Sequence, residues 1–146
     1  MTAKRVSELL ANPLGISDFK LTPDEPLTIL IRSLEINLVY VSELGCLWSE
    51  IPLGALPPKG NANRDLLIRE MLEANFNRQG SDGGVFSMDP LGLVFLERQW
   101  FLPSPREELI PDELGRSVLI SEKWAERLAK DNQVTQTTDN QSYLKV

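Results

Sequence analysis

The residues that could carry chemistry are few and poorly grouped. The chain has no histidine, which removes imidazole-based triads and dyads and nearly all zinc hydrolase sites. Its one cysteine, Cys46, lies beside Leu47 and Trp48 with no base near it in sequence, which suits an inert buried thiol. A lone cysteine also forbids an intramolecular disulfide and a thiolate metal cluster. Gly80-Ser81-Asp82-Gly83-Gly84 is glycine-rich, but it lacks the spacing and the Lys-Ser/Thr pair of a phosphate-binding loop and reads as a turn. Asp82 and Asp89 are the only candidate pair for acid–base work. Asp82 suits the turn, and Asp89 suits the corner before Pro90. Glu107, Glu108, Asp112 and Glu113 gather where a helix would start, where its dipole favours acids. No catalytic residue, cofactor or metal ligand is expected.

The elements that would position these groups follow from periodicity. Val6 to Ala11 patterns as a short amphipathic helix, ended by Pro13 and Gly15. Ile16, Phe19 and Leu21 would allow it to resume, and Thr22 to Pro26 is a turn. Three strands are expected: Leu27 to Ile31, Ile36 to Val41 and Cys46 to Leu53. Glu43-Leu44-Gly45 connects the second and third, and Pro52 confines the third to an edge or an exit. After the loop Leu56 to Asn61, Asn63 would cap a helix over Arg64 to Phe76. Along it Asp65, Arg69 and Glu73 stand four apart, as surface pairs contributing a few tenths of a kcal/mol each. Strands over Val85 to Asp89 and Leu91 to Gln99 come next, closed off by Pro103 and Pro105. Pro111 then opens a last helix to about Lys130, with Gly115 weakening its first turns. The order α-β-β-β-α-β-β-α predicts a single α+β domain over 1–132, with a twisted antiparallel sheet packed by helices. Residues 133–146 are expected to be a polar, mobile tail.

The 146 residues are 42% hydrophobic and 25% charged, ordinary for one globular domain with a real core. The net charge of −6 argues against nucleic acid and anionic membranes, which require clustered cations. No leader or membrane-spanning run is expected, so cytoplasmic residence is the default.

Apolar surface is the stronger signal. In Leu91 to Leu96 a one-sided sheet would bury Leu91, Leu93 and Phe95 and expose Gly92, Val94 and Leu96, yet both sets are apolar. The second set needs a cover, either the last helix or a twin subunit. The helix over Arg64 to Phe76 likewise carries one apolar line through Leu67, Met71 and Ala74, and another through Ile68, Leu72 and Phe76. One line should pack on its own sheet and leave the other for a second copy.

Met71-Leu72-Glu73-Ala74-Asn75-Phe76, then Gly84-Val85-Phe86-Ser87-Met88-Asp89, then Gly92-Leu93-Val94-Phe95-Leu96, resemble the class I chaperones of type III secretion, the Tir chaperone (CesT) family. Leu53 to Pro57 resembles its connector and Trp124 its last-helix aromatic, and the likeness spans roughly Leu9 to Leu128. The resemblance implies a bacterial, cytoplasmic homodimer that uses no ATP. It would bind an N-terminal segment of one or more secreted effectors in extended form, prevent aggregation and maintain export competence. It also allows the secretion ATPase as a further partner. It places the client on Leu9, Leu10, Leu14, Ile16 and Phe19, with Ile29, Ile31, Val39 and Val41 beside them, by strand addition and pocket filling. The dimer interface is expected at Leu67, Met71, Ala74, Val85, Phe86 and Leu93. The alternatives are a regulatory or immunity-type module that recognises a folded partner, and a small enzyme using Asp or Glu.

Overall fold

The computed structural model describes the backbone of residues 2–144 and the side chains of residues 2–132. Helix α1 spans Ala3–Leu14, with the Thr2 hydroxyl accepting from the Arg5 N–H and Gly15 ending it in the left-handed region. Pro13 falls in its last turn. The chain does not resume the helix; instead Phe19 and Leu21 are buried by an extended return. Ser7 pins that return, donating to the Ala3 carbonyl at 2.7 Å and accepting from the Leu21 N–H at 2.8 Å.

Five strands follow: β1 Leu27–Ile31, β2 Leu34–Val41, β3 Cys46–Ala55, β4 Val85–Met88 and β5 Leu93–Phe101. They form one antiparallel sheet in the order β1-β2-β3-β5-β4. The β1–β2 turn is only Arg32-Ser33, both left-handed at φ 51 and 72, the mirror-image turn whose twist matches a hairpin. Pro52 lies in the central strand β3 and not at an edge. The register slips between Pro52 and Gly54, and this bulge accommodates a residue that has no N–H for the ladder.

Helix α2, Ala62–Asn77, starts one turn-position earlier than the sequence suggests. Its cap is Asn61, whose side chain accepts from the Asn63 N–H at 2.8 Å, not Asn63. Helix α3 spans Ile110–Leu144 after a single 3-10 turn at Glu107–Leu109. Its backbone is helical past Lys130, while the side chains expected to form the polar tail lie outside the described residues.

Cross-strand partners share a face, so the register sorts the sheet cleanly. Ile29, Ile36, Leu38, Leu47, Ile51, Val94, Leu96 and Phe86 are buried on one side with Leu114, Val118 and Leu128 of α3, Leu67 of α2 and Val6 of α1. In β5 the core set is therefore Val94 and Leu96. Leu93 and Phe95 face the other way, the reverse of the phase expected, because the strand starts after a turn at Asp89. The Asp89 carboxylate accepts from the N–H groups of Leu91 and Leu93, both at 2.9 Å.

The loop between α2 and β4 is held by charge. Arg98 of β5 is largely buried and pairs with Glu113 of α3 at 2.9 Å, while also donating to the Asp82 carbonyl. Trp100 lies 5.4 Å beneath the guanidinium and donates its indole N–H to the same Glu113 carboxylate at 2.7 Å. Gly83, at φ +86, sits against the guanidinium, where a Cβ would come within 3.1 Å. Arg116 of α3 reaches the Asp82 carboxylate at 2.6 Å. Asp82 is thus a turn residue and an ion-pair partner, not half of a catalytic pair.

Gly115 lies within α3, and a Cβ built there meets nothing within 4 Å. Gly115→Ala is therefore expected to raise stability by roughly 0.4–1 kcal/mol through the unfolded chain's entropy. A thermal melt with an unchanged or lowered midpoint would contradict this.

Candidate functional site

Three surfaces remain unpartnered within the chain. The first is the outer line of α2. Leu67, Met71 and Ala74 point inward and are buried, so they pack on this chain's own sheet and not on a twin. The outward line carries Leu72 at 63% and Phe76 at 93% exposure, beside Asp65, Arg69 and Glu73. Phe86 is likewise core, in tilted contact with Trp124 at 5.0 Å between ring centroids. Of the residues expected at a dimer contact, only Val85 and Leu93 are exposed. Sequence periodicity identified both helix lines but not which one faced outward; three-dimensional packing decides that.

The second surface is the sheet face away from the helices. Val39 and Val41 of β2 are half-buried there, with Trp48, Pro52 and Phe95. Glu50 and Glu97 stand directly opposite each other across β3 and β5. Burial and the neighbouring Glu50 charge push the Glu97 carboxyl above its ordinary value, partly opposed by a hydrogen bond from Ser87.

The third surface is the helical end where a client was expected. Leu10, Phe19 and Ile29 are buried in the core and line no open groove. Leu9, Leu14, Ile16 and Ile31 are half-buried against that core. A shallow apolar groove does run between α1 and the return segment, floored by Ala3, Ala11, Phe19, Leu21 and Pro23 with Lys4 at its rim. Sequence reasoning found the helix but not this groove, because the extended return was read as possible helix.

The remaining candidate chemistry is structural. Cys46 is buried, and that burial raises its thiol pKa, which disfavours the thiolate. Glu70 of α2 is held below the ordinary glutamate range by a hydrogen bond from Arg127 of α3, which also lies over Trp124 at 5.1 Å. Among the described residues no group of three or more Cys, Asp or Glu is arranged to hold a metal ion, and no helix is long and apolar enough to cross a membrane.

A helix-flanked sheet of this order, with Asn75 at the end of α2 and Trp124 in the last helix, is matched over residues 7–125 by the model of the Tir chaperone protein (CesT) family. The chain belongs to this family. Family-level likeness extends to solved structures. A chain of the ExsC–ExsE complex superposes with a TM-score of 0.64 at 20% identity, covering 85% of this chain and 93% of that one. The structure of the Yersinia pestis type III secretion chaperone SycH with a stable fragment of YscM2 gives 0.62 at 16%, covering 87% and 99%. The ExoU–SpcU complex from the Pseudomonas aeruginosa type III secretion system gives 0.60 at 19%, covering 86% and 95%. At these identities the likeness is one of fold. No protein of curated function matches the chain significantly.

The opposed carboxylates on the outer sheet face yield a pH prediction. Because the Glu97 pKa is raised in the fold, the native state holds that proton more tightly than the unfolded chain does. The penalty is absent below the ordinary glutamate range and grows as pH rises through the raised pKa. Glu97→Gln should leave stability nearly unchanged at about pH 4, and increase it by roughly 0.2–1 kcal/mol at about pH 7. Equal effects at the two pH values in urea unfolding would refute the pairing.

Proposed function

We propose that the chain is a non-catalytic, ATP-independent secretion chaperone. It would work in the bacterial cytoplasm as a homodimer, holding an N-terminal segment of a secreted effector in extended form, shielded from aggregation and ready for export. The observation that carries this reading is the family match over residues 7–125. Its structural relatives support it: one is described as a type III secretion chaperone bound to a fragment of another protein, and another is a chaperone–effector complex, HopA1–SchA.

The exposed apolar surface gives the reading its physical basis. Phe76 and Leu72 project from a well-packed helix into water, an arrangement that association relieves. Asp65, Arg69 and Glu73 share that face in alternating sign. In an antiparallel pair of α2 helices each Arg69 can meet the twin's Glu73, so the same patch serves both subunits, as a two-fold interface requires. Val85 and Leu93 extend the exposed apolar surface onto the β4–β5 hairpin. The client is assigned to the α1 groove and to the half-buried residues Leu9, Leu14, Ile16, Ile31, Val39 and Val41. Each client Leu or Ile fully buried there would contribute about 1.5–3 kcal/mol before the cost of ordering the segment. A long extended segment then binds firmly without any deep pocket.

Light scattering should give twice the 16.4 kDa chain mass for the wild type. Leu72→Glu with Phe76→Glu should give the monomer mass with an unchanged circular-dichroism spectrum, since both side chains are exposed. A wild type that remains monomeric at micromolar concentration would sink the dimer. The client assignment is tested by co-expression with a secreted protein encoded beside it, followed by limited proteolysis. A protected stretch near the partner's N-terminus is expected. Protection of a compact folded domain would point instead to an immunity-type module, and turnover of a small molecule without any stoichiometric partner would point to an enzyme.

A further inference from the structure

The two edges of the sheet are not equivalent. At β4 the middle residue Phe86 has both backbone groups taken by one side chain: its N–H donates to the Asn75 Oδ1 at 2.7 Å, and its carbonyl accepts from the Asn75 Nδ2 at 2.9 Å. Asn75 belongs to α2, so the helix lies along this edge and occupies the positions that another strand would need.

The β1 edge has no such cover. Arg32-Ser33 is a two-residue turn, so Ile31 and Leu34 form the first hydrogen-bonded pair of the hairpin, and Ile29 and Leu27 form the next ones. Parity then turns the N–H and C=O of Thr28 and Leu30 away from β2, toward the open side. Among the described residues no side chain or neighbouring segment bonds to these four groups. Leu30 is also 70% exposed, unusual for a strand leucine. Below the edge, on the helix side, runs a groove lined by Ile31, Pro111, Gly115, Val118 and Leu119, with Arg32 at its rim. Its floor has room, because Gly115 carries no side chain and nothing lies within 4 Å of where one would start.

We infer that a bound polypeptide extends the sheet at β1 and not at β4, pairing its backbone with Thr28 and Leu30. This rests on the chaperone reading and specifies where it is executed. An extended segment added there has alternate side chains directed to opposite faces of the sheet. One set drops onto Pro111, Gly115 and Leu119, and the other lies beside Leu30. The ligand class is therefore an extended segment with small or medium apolar residues at every second position, and at least one apolar residue on its opposite face.

The probe is a set of short overlapping peptides tiled over the N-terminal regions of the secreted proteins encoded beside this chain. In the free protein the Thr28 and Leu30 amides should exchange hydrogen quickly, and the Phe86 amide slowly. On binding, Thr28 and Leu30 should slow by about tenfold or more while Phe86 does not change. Leu30→Pro removes an outward donor and spares the β1–β2 ladder, and Leu119→Lys places a charge in the groove at a half-exposed position. Each should weaken the best peptide by roughly tenfold or more, equivalent to one or two backbone hydrogen bonds. Leu30→Ala should bind far more tightly than Leu30→Pro. If a peptide binds with no change at Thr28 and Leu30 and with equal affinity for both variants, the edge assignment is wrong and the chaperone reading stands. If no peptide binds the wild type at all, both fall. The exchange arm uses the unaltered protein, so misfolding of a variant does not remove the test.

Discussion

Helices cover only one side of this sheet, and most of the molecule's behaviour follows from that constraint. Once Ile36, Leu38, Leu47, Ile51, Val94 and Leu96 are committed to the helical side, the strand period of two sends Val39, Trp48, Phe95 and Leu93 outward. The chain has no third layer to place over them. A one-layer cover suffices for folding, because the buried side is dense and continuous from α1 through α3. It leaves a protein whose surface chemistry is set by the backs of its strands and helices. The single long acidic–basic network, from Asp82 through Arg98 to Glu113 and Trp100, fastens the β4–β5 hairpin to α3 and keeps that exposed side rigid.

Much of this was legible in the sequence, and the misses have physical causes. The number, order and type of elements followed from hydrophobic periodicity, and the turn at Asp89 from its residue chemistry. The phase of β5 did not follow, because Leu93 to Leu96 is apolar at every position, and only the register with Ile51 and Gly54 breaks the tie. Pro52 was assigned to an edge by a sound rule, which the bulge beside it overrides. Leu67 and Leu72 are equally hydrophobic; helical spacing places them on different lines but cannot say which line meets the sheet. Leu10, Phe19 and Ile29 were read as groove residues because a binding groove and a core have the same composition. The most informative polar residue, Asn75, drew notice only as part of a family-like run. Nothing in local sequence announces that an amide will bond both backbone groups of a residue eleven positions away.

Family membership and physical reading meet at different depths. Membership speaks to the kind of work the fold performs in its relatives. The geometry speaks to which parts of this chain are free to do it: an exposed aromatic on α2, a shallow channel beside α1 and one unoccupied sheet edge. These lie on separate elements, so a twin and a passenger need not compete for the same atoms.

The amide of Asn75 has a consequence for solubility. Sheets with two bare margins can stack end to end without limit, the geometry of fibres. Sealing one margin means that any edge-to-edge encounter terminates after a single joining, since a second molecule offers only its own β1 in return. A protein present in quantity, with greasy strands and an exposed phenylalanine, thereby avoids templating its own polymerisation.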